Sequence, residues 1–253
     1  MNPEPTTRLV DQAIQAARYG KLREDLVSSA SSLARINERT LRNGFAALRS
    51  SAQRQDVSAE AHGLLRDLNG LYRTRYSIEK IVSLSPLVYS AISDMDWWRH
   101  SPVRVSDASD STLLDNAAAV SAILRTSAQS GLDRPYSLMT KFLHFCFPDS
   151  FGIYDAQAAS SIQTWAYFSF PLSNDQWKQF AWGAMTNPDA SGYSAILEFY
   201  SLCWTCAGDE RLAALKLAAQ ALSDEIDAPV SPLYVIDNLL WRASGDPRAL
   251  GLL

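Results

Sequence analysis

A lysine and an aspartate fourteen residues apart, Lys141 and Asp155, are the pair whose types and setting are best suited to chemistry in this 253-residue chain. They lie in the stretch Ser137 to Ser160, which reads SLMTKFLHFCFPDSFGIYDAQAAS. Leu138, Phe142 and Phe145, together with Leu143 and Phe147, make the first part apolar over most of a helical circumference, the pattern of a helix central to a core. An amine in the first turns of such a helix is partly desolvated, and desolvation lowers a lysine pKa toward the range in which it acts as nucleophile or base. The competing reading has Lys141 snorkel its ammonium to water while its stem covers Phe142 or Phe145; the rarity of unpaired buried lysine favours it. Asp155 follows Pro148 and an FGIY link and precedes AQAASSIQTWAYF, where its carboxylate can accept the free N–H groups of a new helix, a cap contributing about 0.5–2 kcal/mol. The cap alone accounts for it, yet a capped carboxylate is also a rigid negative charge of the kind that steadies a cationic intermediate.

The elements that must hold this pair read as helices throughout. Residues 8–54 lack proline and carry Val10, Ile14 and Ala17 at helical spacing, with Gly20 a point of division. From Leu22 the series Leu26, Ser29, Leu33, Ile36, Thr40 keeps a four-three alternation, which fits either a dimerisation arm or, given the polar interruptions, a helical hairpin lying on the main domain. Further helices are predicted at about 58–76, 77–93, 111–130, 136–147, 155–168, 174–186, 191–207, 209–226 and 232–244. Ser191 and Ser231-Pro232 supply caps, and Gly208 separates two of these segments. Leu113, Ala117, Val120 and Leu124 share one helical face, as do Leu233, Ile236, Leu240 and Ala243. No convincing strand alternation is present, so the fold class is all-α.

All seven tryptophans lie beyond residue 96, and large rings supply most of a core's buried area. The expected division is therefore a lighter helical appendage over 1–55 and an all-α main domain over 56–253, with SAQRQDVS (51–58) as the joint. Charge follows a gradient. Residues 1–54 hold nine Lys/Arg against five Asp/Glu, residues 55–104 six of each, and residues 105–253 eight against sixteen. A duplex held through its phosphates needs cations on the binding face, so this balance counts against DNA wrapping by the later part, though not against a local basic groove. No signal pattern or bilayer-length apolar run is present, and three cysteines read as reduced thiols, all of which points to a cytoplasmic protein without membrane association.

Trp97-Trp98-Arg99-His100 before Ser101-Pro102 could stack on an unpaired base or planar ligand, with Arg99 and Arg104 on phosphate. More often such rings close the edge of a core. Cys203-Trp-Thr-Cys206 sits inside an apparent helix, which weakens a redox reading. A zinc site joining it to His144 and Cys146 is opposed by the latter two pointing to different sides of their helix. No phosphate loop, zinc-protease motif, nucleophile elbow or dinucleotide fingerprint occurs, so no cofactor and no metal are expected.

The sequence T-K-F-L-H-F (140–145), followed by P-D-x-F-x-I-Y-D (148–155), resembles the lysine helix, link and aspartate of the helix-hairpin-helix DNA glycosylase superfamily, especially bacterial relatives of the 8-oxoguanine glycosylase type. The late I-D-x-x-L-W motif, Ile236 to Trp241, adds to the likeness. The resemblance implies an all-α core, with Lys141 in the place of the Schiff-base nucleophile and Asp155 in that of the aspartate assisting sugar-cation formation. It implies a nucleic-acid or nucleobase-like ligand and the excision of a damaged base. The chain departs from the pattern in carrying GLDRPYS (131–137) where the family has a glycine-rich hairpin, and in a shorter lysine-to-aspartate interval. The alternative function is accordingly a non-enzymatic interaction protein of the same fold, binding a partner or a second copy through residues 8–54.

Overall fold

The computed structural model describes residues 2–32, 34, 36–52, 56–72, 74, 76–107, 110–129, 131, 135–170 and 190–253. Among them are ten α-helices, one short 3-10 turn at Val105–Asp107 and no strand, so the chain is all-α as its periodicity predicts. The helices are α1 (Glu4–Tyr19), α2 (Lys21–Ser31), α3 (Glu38–Ala52), α4 (Ser58–Tyr72), α5 (Ile78–Asp94), α6 (Asp110–Gln129), α7 (Tyr136–Cys146), α8 (Ala156–Ser169), α9 (Ala190–Ile226) and α10 (Pro232–Ala243). Punctuation by sequence places most of these ends. Gly20 is extended between α1 and α2, Ser231 caps α10 by accepting from the Tyr234 N–H, and Gly208, at φ 75°, puts a kink inside α9 where two helices are expected. The helix predicted at 174–186, with Trp177 and Trp182, lies outside the described residues, as does the side chain of Ser191.

Helix α7 runs through the centre. Ten of its eleven residues are buried, Ser137 alone excepted, and it packs on α3, α4 and α6. Around it, α8 lies along α10, α4 along α5, and α6 along the long α9. The predicted apolar faces of α6 and α10 point inward, with Leu113, Ala117, Val120, Leu124, Leu233, Ile236, Leu240 and Ala243 all buried.

The four-three seam from Leu22 does not run as one helix. α2 ends at Ser31, α3 starts at Glu38, and between them Asn37 forms a side-chain clasp, its Oδ1 accepting from the Thr40 N–H at 2.9 Å and its amide donating to the Ser32 carbonyl at 2.9 Å. An asparagine that serves the backbone in this way competes with helix continuation. Leu22 and Leu26 are buried within the chain, and so are Leu9, Val10, Leu41 and Phe45, which belong to the same hydrophobic core as α7. The first 52 residues, light in aromatics, thus contribute aliphatic side chains to the common core. Among the described residues no helix is long and apolar enough to cross a membrane.

Candidate functional site

The central helix and the 148–155 link bring Lys141 and Asp155 together. Asp155 is extended at the start of α8, and its Oδ1 accepts from the N–H groups of Gln157 and Ala158 at 3.1 and 2.9 Å. That cap leaves Oδ2 free to face Lys141, whose Nζ lies 3.4 Å away. The same ammonium donates to Ser137 Oγ, one turn earlier on α7, at 2.6 Å. Lys141 is only 6% exposed, so it does not snorkel into water. Burial pulls its pKa below the usual lysine value, while the charges of Asp155 and Asp237 pull the other way.

Behind the pair lies a buried polar network. Asp237, in the middle of α10, accepts from the Ile153 N–H through both carboxylate oxygens, at 3.2 and 3.0 Å, and from the Tyr200 hydroxyl. Burial raises its pKa far above the normal carboxylate range, against the opposing hydrogen bonds. His144, one turn beyond Lys141, donates its Nδ1–H to the Phe151 carbonyl at 2.7 Å. Burial lowers its pKa to about 3, so the ring is neutral at physiological pH and its 3.5 Å approach to Asp237 is not an ion pair. On the other flank, Arg42 and Glu38 form a buried pair at 3.0 Å, with Glu38 also accepting from the Tyr72 hydroxyl at 2.6 Å. Burial opposes the Arg42 charge, but Glu38 and the hydroxyls of Tyr234 and Tyr72 outweigh it and push its pKa up. The Tyr72 ring sits 5.9 Å from Lys141 Nζ while its hydroxyl bonds Glu38, so one tyrosine adjoins both polar clusters.

The remaining expected residues do not join this site. Trp97 and Trp98 are 9% and 8% exposed, their faces covered by Phe147 and Phe151 and by Tyr89 and Phe147, so they close the core and offer no surface on which a base could stack. Arg99 and Arg104 are exposed; Arg99 lies 4.0 Å from Asp96 and neither contacts the Lys141–Asp155 pair. Cys146 and Cys203 are buried thiols whose pKa values burial drives up. His144 is turned toward the Phe151 carbonyl, and among the described residues no group of three His, Cys, Asp or Glu side chains could hold a metal ion. Sequence reasoning missed the Glu38–Arg42 pair because an i,i+4 ion pair reads the same on a solvated helix as on a buried one. Asp237 carried a signal, a carboxylate among the inward positions of an otherwise apolar helix. No protein-family model matches the chain, and neither a curated protein nor a solved structure shows significant similarity to it.

Proposed function

We propose that the protein is a glycosylase-like enzyme acting on nucleic acid or a nucleobase-bearing ligand, with Lys141 as nucleophile and Asp155 as its electrostatic partner. The observation that carries this reading is the amine of Lys141 held 3.4 Å from a helix-capping carboxylate in a buried setting that depresses its pKa. In its neutral form the Nζ lone pair attacks the sugar C1′ as the C1′–N bond to the base breaks; the base leaves with the proton that the attacking nitrogen gives up, and the C1′–O4′ bond then opens, O4′ taking a proton from water, to leave an iminium between C1′ and Nζ. Asp155, fixed by the first turn of α8, offsets the positive charge that develops on the sugar. The competing reading, partner recruitment through residues 8–54, has less support because Leu9, Val10, Leu22, Leu26 and Leu41 are already buried within the chain. Borohydride trapping on a panel of lesion-bearing and abasic oligonucleotides tests the proposal. A covalent adduct is expected with the native protein and none with Lys141→Gln. No adduct on any oligonucleotide, together with no salt-sensitive DNA binding, overturns it.

A further inference from the structure

Arg42, Arg49 and His144, each with a buried nitrogen that has no hydrogen-bond partner (Nη2, Nε and Nε2), line one small pocket between α3, the C-terminal end of α7 and the start of α10. The other edges of the Arg42 guanidinium are occupied, Nε by Glu38 at 3.0 Å and Nη1 by the Pro229 carbonyl at 3.1 Å, and its face is stacked 3.9 Å from the Tyr234 ring centroid. That leaves Nη2 as the edge without a hydrogen-bonded acceptor, on a residue that lines the pocket. Glu38 balances Arg42, and Arg49 adds a further positive charge. Ser231, the N-cap of α10, forms part of the wall. The pocket leaves about 30 Å³ for the centres of water-sized molecules, against the ~10–15 Å³ that a single water needs. We propose that this pocket binds a small oxyanion that keeps one proton, the chemistry of hydrogen phosphate or of the end group of a phosphomonoester. The two guanidinium groups require acceptor oxygens. His144 requires the opposite. Its Nδ1–H is committed to the Phe151 carbonyl, so Nε2 presents a lone pair and takes a donor. Water alone meets these polarities but does not balance the positive charge, and sulfate balances the charge but brings no proton for Nε2.

The inference is independent of chemistry at Lys141, since it can be read with no nucleic acid present. The test is calorimetric titration of the full chain, in a buffer free of both anions, with inorganic phosphate, sulfate and methyl phosphate at matched ionic strength. Saturable phosphate binding is expected, with sulfate at least ~10-fold weaker and with Arg49→Gln reducing phosphate affinity ~10-fold or more, the scale of one charge-assisted hydrogen bond. Arg49 is only half-buried, and unchanged circular dichroism confirms that the variant folds. In ¹⁵N-labelled protein the His144 Nε2 resonance should move with phosphate and not with sulfate. Binding of methyl phosphate as well as phosphate identifies a monoester end group as the ligand; binding of phosphate alone identifies the free anion. Absence of saturable phosphate binding, equal affinity for sulfate, an unmoved His144 resonance, or unchanged affinity in a folded Arg49→Gln protein overturns the proposal.

Discussion

A neutral histidine held inside the core makes acid a specific stress on this protein. His144 is faced by Arg42 from α3, by Lys141 on its own helix, by Asp237 and the Tyr234 ring from α10 and by the Phe151 carbonyl, and its pKa is brought down to about 3, first of all by burial. Between that value and the ordinary 6.5 the unfolded chain binds a proton that the folded chain refuses, so stability falls as pH falls through this window. From pH 7 to pH 5 the loss due to His144 is about 2 kcal/mol. Asp237 acts with the opposite sign, because burial raises its pKa and the folded state takes up the proton first. The His144 contribution is therefore read as a difference: in urea unfolding, in phosphate-free buffer, native protein should lose about 2 kcal/mol more than His144→Gln over that interval. Equal losses in the two proteins would show that His144 accepts a proton in the folded state.

At the scale of elements, the part most tightly determined is the link between α7 and α8, which carries Asp155. The Ile153 N–H is fixed by Asp237 and the Tyr154 N–H donates to Thr140 Oγ1 at 3.0 Å, so α10 and α7 clamp it from two sides. Gly152 packs directly against the ring of Tyr200, where an added Cβ would collide, and its carbonyl accepts from the Tyr193 hydroxyl at 2.7 Å. Gly152→Ala must move the Tyr200 ring, whose hydroxyl serves Asp237, and should destabilise the fold by about 1–3 kcal/mol as measured by chemical denaturation. An effect within 0.5 kcal/mol would mean that the link can shift without disturbing the network. This link also shows what the sequence made legible. FGIY before an aspartate reads as an extended connection ahead of a capped helix, and Asp155 caps as its position predicts. Lys141, by contrast, reads more readily as a snorkelling side chain, because its burial depends on Ser137 and Asp155 both reaching it, the latter across a break between two helices. Trp97 and Trp98 illustrate the same limit: adjacent rings at a helix end look alike whether Phe147 and Phe151 cover them or not.

For the molecule as a whole, the question is whether the helices from residue 56 onward form a folded unit without those before it. Among the described residues three ion pairs tie the N-terminal helices to the rest, Asp11 with Arg211 at 2.8 Å, Arg23 with Glu225 at 2.6 Å and Asp25 with Arg242 at 2.7 Å. All three pairs are substantially exposed, and such pairs contribute about 0–1 kcal/mol each, so they do not decide the matter. Burial does. Leu9, Val10, Ile14, Leu22, Leu26, Leu41, Phe45 and Leu48 are all buried in the common core, and the Trp165 indole N–H donates to the wholly buried Thr6 hydroxyl at 3.1 Å. At about 1.5–3 kcal/mol for each large apolar side chain, the matching surface uncovered on α8, α9, α10 and α7 is on the order of 10 kcal/mol, comparable to the entire stability of a typical domain. A chain starting at residue 56 should therefore lose its cooperative thermal transition by circular dichroism and bind a hydrophobic dye. Cooperative melting of the shortened protein, with tryptophan emission as blue-shifted as in the full chain, would instead establish the first 55 residues as a separable appendage and restore partner binding as their role.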